Sequence, residues 1–329
     1  MKAIRVEEIG GPEVLQLEDI APVEEPGPGQ AVVRVVAAGV NFMDIGQRRG
    51  SYPRQVPFTP GAEGAGVVES VGEGVAEVKP SDRVAFVGQP GAYAEAIAVD
   101  ASRLIPLPDE FTFEEGAAFP LQGMTAHYLI HEFHKPKPGE FVLVHAAAGG
   151  MGGLLVQWAR HLGATVIGTT STEEKARTAR EQGADHVIVY TDEDFVAETK
   201  RITGGHGADL IIDGVGKSTF KGDLEAVAAR GHIVIFGSAS GQADPISPNA
   251  LMPRAVSLSG GSLANFIRTR EELLRRANDV IAGIRDGWLK LNIAAVLPLE
   301  QAREAHELME SRKTQGKLVL AIARRAAAA

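Results

Sequence analysis

Apolar and polar positions follow two different patterns along this chain, and the change comes near residue 125. Before it, short apolar runs alternate with polar residues and are broken by Gly and Pro. AVVRVVAAGV (Ala31 to Val40), EGAGVVESVG (Glu63 to Gly72), DRVAFVG and AYAEAIAVD each read as a strand between turns, so this part is predicted to be β-rich. From about residue 126, short apolar strands alternate with helical segments. Strands are predicted at FVLVHA from Phe141, TVIGTT from Thr165, HVIVY from His186, DLIIDGV from Asp209, HIVIFGS from His232 and VSLSG from Val256. Helices are predicted at GGLLVQWARHL, STEEKARTAREQG, DEDFVAETKRITGG and KSTFKGDLEAVAARG.

Ser171 or Thr172 is the cap in STEE, with Glu shortly after, and Gly183, Gly204 and Gly231 stand where helices should stop. Apolar strands alternating with helices imply a parallel sheet covered on both faces. The tail returns to a mixed pattern. TREELLRRANDVIAGIRDG reads as an amphipathic helix, LNIAAVLPLE as a strand entry, EQAREAHELMES as a helix and GKLVLAI as a last strand. The terminal RRAAAA has nothing to pack on and is expected to fray.

Composition narrows the class. A chain of 329 residues is long for one core and fits two domains. With 44% hydrophobic and 23% charged residues it has the make-up of an ordinary globular protein, and no apolar run approaches the roughly 20 residues of a membrane span. MKAIRVEEIGG lacks an apolar signal core, so export is not expected and a cytoplasmic location is. A net charge of −9 argues against a broad nucleic-acid surface. There is no cysteine, which excludes disulfides, iron–sulfur clusters and thiolate catalysis. Zinc would have to use His and carboxylates alone.

The densest run of small residues, HAAAGGMGGLLVQWAR, follows a predicted strand and opens a helix. In the G-x-G-x-x-G spacing it supplies Ala147, Gly149 and Gly152, with alanine in the first position. Gly149 lets the backbone approach a diphosphate, Gly152 lets the helix pack on the strand, and the helix N-terminus offers free N–H groups. Ala148, Gly149, Gly150, Met151 and Gly152 are the candidate cradle. Heading a βαβαβ alternation is the context that gives this motif weight.

An NAD site would carry Asp or Glu at the end of the second strand. Here the strand ends in Thr169, Thr170 and Ser171, with Lys175 following. Hydroxyls and an ammonium suit a 2′-phosphate, which favours NADPH. Glu173 and Glu174 would repel that phosphate if they faced it, and Lys175 read alone is a solvated helix residue.

The segment GEFVLVHAAAGGMGGLLVQWAR resembles the signature of the quinone oxidoreductase, or zeta-crystallin-like, family of the medium-chain dehydrogenase/reductase superfamily. IGGPEVLQLED, GVNFMDIGQRRGSYP, PGAEGAGVVESVGEGV, FPLQGMTAHYL and ESRKTQGKLVL are similar to further family segments, so the resemblance covers nearly the whole chain. It implies an α/β fold: a GroES-like β-rich catalytic domain from residues 1–125 and 263–329, around a doubly wound Rossmann domain at 126–262.

Zinc alcohol dehydrogenases of that superfamily carry Gly-His-Glu, whose histidine binds the metal. The matching stretch here is Gly61-Ala62-Glu63, and no metal site is expected. Without a Lewis acid, alcohol oxidation fits poorly. Hydride delivery to a quinone or an α,β-unsaturated carbonyl fits well, because the charge formed on oxygen is delocalised; the protein supplies orientation and hydrogen-bond donors. The resemblance puts Asn41 and Tyr52 beside the nicotinamide and substrate as catalytic candidates, with Asn41 also touching cofactor. Asn41 could equally be a turn residue. Asp44 is as well explained as a cap or a partner for Arg48. Gly46 stands where the family often has a second tyrosine, which is expected to widen the pocket.

The resemblance also assigns Thr125 to the nicotinamide, Tyr190 to the adenosine phosphate, Phe236, Gly237 and Ser238 to the sheet's carboxyl edge, and Arg312 to the cofactor. Simpler roles exist for three of these: a helix hydroxyl for Thr125, strand-end packing for Tyr190 and a helix-end charge for Arg312. The strand near Val256 to Gly260 would be a sheet edge, which implies a homodimer through it. The implied function is NADPH-dependent quinone reduction. The alternatives are reduction of α,β-unsaturated aldehydes or ketones, and an NADPH-binding protein of little turnover in a crystallin-like or RNA-binding role.

Overall fold

The computed structural model describes residues 1–311 and 314–322. Arg312 and the terminal RRAAAA lie outside the described residues. The chain divides into two compact units, residues 122–267 with 278–290, and residues 1–121 with 268–277 and 291–329.

The first unit alternates strand and helix up to its fifth strand: β1 (Phe141–Val144), α1 (Gly150–His161), β2 (Thr165–Thr170), α2 (Glu173–Glu181), β3 (His186–Val189), α3 (Phe195–Ile202), β4 (Ala208–Asp213), α4 (Phe220–Ala226) and β5 (Val227–Ile235), with β6 (Ser257–Gly260) following through a 3-10 turn. The six strands are ordered β3-β2-β1-β4-β5-β6, and every pairing is parallel. Val142 to Val144 and Leu210 to Ile212 are fully buried, as a sheet covered on both faces requires. Strand order reverses between β1 and β4, which makes the carboxyl ends of those strands the expected ligand crevice.

Two expectations for this unit change. KSTFKGDLEAVAARG does not run as helix to Gly231. The helix stops at Ala226, because Val227 and Ala228 are buried in β5 and Val227 pairs with Ala208. Gly231 is therefore no helix stop. A Cβ there would stand 3.0 Å from the Ala208 carbonyl oxygen, so it serves close strand contact instead.

The second unit is built on a seven-stranded sheet in the order Ile293–Pro298, Lys317–Ala321, Gln30–Val40, Glu63–Val71, Arg83–Val87, Leu104–Pro106, with Ala96–Asp100 also paired to Gln30–Val40. The strand Lys317–Ala321 lies parallel to Ile293–Pro298 and antiparallel to Gln30–Val40. Val33, Val35, Phe86, Leu104, Leu318 and Leu320 share its core. The stretch after Val40, for which the sequence pattern predicts no helix, forms one over Phe42–Arg48, and a further helix spans Phe113–Ala118. No helix among the described residues is long and apolar enough to cross a membrane.

Candidate active site

The small-residue turn lies between β1 and α1. Ala146 takes a positive φ of 52°, Gly149 caps the helix with extended backbone, and no side chain caps it. The first N–H groups of such a helix have no intrahelical acceptor. A Cβ on Gly152 would lie 2.2 Å from the Ala146 carbonyl oxygen, which no adjustment of a side chain relieves. A Cβ on Gly149 would meet only that same oxygen, at 3.3 Å. Gly152 is thus required for packing, while Gly149 leaves the outer side of the turn bare. Ala147, in place of the motif's first glycine, is accommodated from the next strand: a Cβ on Gly168 would stand 2.7 Å from the Ala147 methyl.

Sequence reasoning missed two neighbours of this turn. Gln122 extends its carboxamide against Gly150, where a Cβ would stand 2.7 Å from Oε1. Thr125 lies three residues further along the helix Pro120–His131, on the same side as Gln122. His145, at the end of β1, is buried with Nε2 2.7 Å from Asp223 Oδ1 and Nδ1 2.9 Å from Thr169 Oγ1. Burial pushes the Asp223 carboxyl up to about 6, partly offset by His145. Burial pulls the imidazole down, but the Asp223 hydrogen bond and charge, with Asp213, carry it above its ordinary value. The two hold a proton between them.

At the end of β2 the hydroxyls divide. Thr169 faces His145, and Thr170 donates to the Thr172 carbonyl at 3.3 Å, so neither is a free phosphate donor as the sequence suggested. Ser171 remains, with Lys175 Nζ 3.3 Å from its Oγ. Thr172 is the true cap, accepting from the Lys175 N–H at 3.2 Å. Glu173 is drawn off to Arg180 at 2.6 Å. Tyr190 hydrogen-bonds to the Thr170 carbonyl through its N–H, and its side chain is 53% exposed beside this strand end. Phe236, Gly237 and Ser238 follow β5 at the carboxyl edge, with the Phe236 ring over Gly214.

In the other unit, Asn41 caps the helix Phe42–Arg48 and is only 3% exposed. Its Nδ2 donates to Glu63 Oε1 at 2.8 Å, and its Oδ1 accepts from Lys317 Nζ at 2.6 Å. Lys317 also reaches Glu63 Oε1 at 2.5 Å, and the Leu121 N–H donates to Glu63 Oε2 at 2.7 Å. The Asn41 carboxamide is therefore hydrogen-bonded at both ends inside the fold. Tyr52 is 51% exposed, and its ring lies against Gly46. A Cβ on Gly46 would stand 2.3 Å from that ring, so Tyr52 itself fills the space that a glycine was expected to open.

Asp44 Oδ2 accepts the Asn41 N–H at 2.8 Å and the Tyr93 hydroxyl at 3.2 Å. Tyr93 in turn lies 3.3 Å from His306 Nε2, and His306 Nδ1 lies 3.4 Å from Arg48, which reaches Glu310 at 2.5 Å. Because a guanidinium only donates, His306 accepts at Nδ1 and carries its hydrogen on Nε2. Burial, with Arg48 beside it, keeps this ring neutral by pushing its pKa to about 3. Burial pushes Asp44 up to about 7, against the Asn41 N–H and the Lys317 charge.

Two family models match the chain. Residues 27–109 match the family model described as alcohol dehydrogenase GroES-like domain, and residues 150–279 that described as zinc-binding dehydrogenase. A 2-haloacrylate reductase from a Burkholderia species is 41% identical over 320 residues, spanning 94% of this chain and 96% of the relative. Quinone oxidoreductase 1 of Escherichia coli strain K12 is 39% identical over 316 residues, spanning 94% and 96%. The crystal structure of Escherichia coli quinone oxidoreductase complexed with NADPH shares the fold with a TM-score of 0.94 at 38% identity, covering 98% of this chain and 100% of that one.

Proposed function

Because the chain belongs to the quinone oxidoreductase family of the medium-chain dehydrogenase/reductase superfamily, and so is an oxidoreductase, we propose that it reduces quinones with NADPH. The observation that carries the cofactor half is the bare turn at Gly149 together with the Ser171–Lys175 donor pair. The turn and the helix N-terminus would hold the diphosphate through Ala148, Gly149, Gly150, Met151 and Gly152. Ser171 and Lys175 would take the 2′-phosphate, and the exposed Tyr190 ring the adenosine. Phe236, Gly237, Ser238 and Thr125 would line the remainder. A bound NADPH supplies the hydride.

The chain's own residues do the rest. Glu63 and Lys317 fix Asn41, which sets the start of the helix carrying Gly46. Tyr52, seated on Gly46, presents a phenol able to donate to a carbonyl oxygen as charge develops there. Glu63 is neutralised by Lys317, and Ala62 stands where the superfamily's zinc dehydrogenases have a histidine ligand, which supports chemistry on an acceptor already electrophilic. A second function, reduction of α,β-unsaturated substrates, is favoured by the 41% identity to a 2-haloacrylate reductase.

A panel of quinones and enones with NADPH and NADH, followed at 340 nm, tests the proposal. Quinone-dependent NADPH oxidation is expected. NADPH binding by fluorescence without turnover on any acceptor would leave a binder and overturn the enzyme. We also propose a homodimer through the edge strand Ser257–Gly260, where Leu258 is exposed and Met252 nearby is 72% exposed. A monomer mass in solution would rule it out.

A further inference from the structure

Two arginines line a cavity that none of the assignments above uses. It lies in the unit that carries Tyr52, has a volume of about 610 Å³, and begins at the residue after Tyr52. Pro53, Arg54, Gln55, Pro57, Phe58 and Thr59 line it together with Arg5, Pro90 and Gly91, and it is broadly open to solvent, with Phe58 buried at its base. That volume falls within the range of small-molecule sites. Three prolines fix φ at their own positions along the lining, which narrows the conformations open to the backbone there.

The charge of the cavity is one-sided. No carboxylate lines it. Arg5 is mostly buried; Nη1 leans on Thr59 Oγ1 at 3.4 Å, and its ion pair among the described residues, to the exposed Glu7, is long at 3.8 Å. The Arg54 guanidinium stands over the Phe58 ring, 5.7 Å from its centre, and no carboxylate of the described residues pairs with it. The aromatic face orients Arg54 without neutralising it. Two guanidinium groups in a chain of net charge −9 are a localised exception to the acidic whole. Phe58 and the prolines add apolar area for an aromatic or alkenyl body.

We propose that this cavity receives the anionic end, a carboxylate or sulfonate, of the acceptor that is reduced beside Tyr52. The inference rests on the quinone reductase function above and narrows its substrate class to acceptors carrying a negative charge. A guanidinium fork matches the two oxygens of either anion, and the Tyr52–Pro53–Arg54 sequence keeps that fork within two residues of the phenol.

The test compares 1,4-naphthoquinone with 1,4-naphthoquinone-2-sulfonate in the full-length protein, in the parent, Arg54→Gln and Arg5→Gln. The ratio of kcat/KM for sulfonated over neutral quinone is expected to fall about fivefold to tenfold in each variant, and to fall with added salt in the parent. An unchanged ratio, or equal losses on both quinones, would overturn the inference. Calorimetric binding of naphthalene-2-sulfonate, which cannot be reduced, gives a readout independent of turnover. Binding that weakens in Arg54→Gln supports the cavity even if no quinone is reduced, in which case the quinone function alone falls. Binding unaffected by both substitutions sinks the cavity while leaving quinone reduction intact. Arg54 is exposed, and thermal melts of each variant would verify that the fold is retained.

Discussion

The Lys317 ammonium sits 2.5 Å from the Glu63 carboxylate, and both side chains are shut away from water. Removing one partner of such a pair leaves a buried charge uncompensated, at a cost of about 3–5 kcal/mol. Lys317→Met is therefore expected to lose stability of that order in urea unfolding. Adding Glu63→Gln should recover part of it, because the orphaned charge goes. A single-variant loss under about 1 kcal/mol would mean that the pair is solvated.

Gly149 and Gly152 should separate packing from binding. Gly149→Ala adds a methyl that meets only the Ala146 oxygen at 3.3 Å, so its melting temperature should stay near the parent's. Its NADPH affinity should fall about tenfold or more, read by fluorescence titration, because the methyl would stand between backbone and diphosphate. Gly152→Ala should lose both affinity and stability. If Gly149→Ala bound NADPH like the parent, the turn would not be the cradle.

Lys175→Ala is expected to raise the KM for NADPH about tenfold, near 1.4 kcal/mol, and that for NADH far less. Ser171→Ala should act in the same direction with smaller effect. Equal changes for both cofactors would remove Lys175 from the phosphate site.

Asp44 gives a pH-dependent stability. Its folded pKa, about 7, lies above the usual carboxylate value near 4, so the folded state favours the protonated form. The stabilisation is full below about pH 4 and is lost as pH rises through about 7. Asp44→Asn, which cannot ionise, should therefore gain on the parent in thermal melts between pH 5 and pH 8. His306 acts oppositely, holding its contribution above about pH 6.5 and losing it as pH falls toward 3, but it is common to both proteins and cancels in the difference. Glu63, Lys317, Tyr93 and Arg48 surround this pair unchanged. A gap constant with pH would show that Asp44 is already ionised at pH 5.

The doubly wound sheet was legible because its signal is local. Most of the strands from Phe141 to Ile235 carry apolar runs, and the turn at Gly149 to Gly152 announces itself by lacking side chains. The Asn41–Glu63–Lys317 cluster was not legible, because its members lie far apart in the chain and no periodicity links them. A faint signal existed: Glu63 and Lys317 each open an apolar strand, with opposite charges. The helix Phe42–Arg48 carries little periodic signal, because it is only seven residues long with Gly46 inside it; the Asn41 N–H to Asp44 contact closes its first turn, in line with the cap reading of Asp44. Gly46 reads as open space in the sequence because a missing ring leaves no trace of what fills it, and here the Tyr52 ring does.

The strand Lys317–Ala321 slots between Ile293–Pro298 and Gln30–Val40 and brings the ammonium for Glu63 with it. A ribosome makes this strand well after both the acid it neutralises and the neighbours it joins. Until it emerges, the strand Ile293–Pro298 has no bridge to Gln30–Val40, and Glu63 lacks the ammonium it pairs with. Synthesis itself therefore delays completion of this unit, and a nascent chain stalled before Lys317 would present an unfinished sheet to the chaperones that wait for such edges.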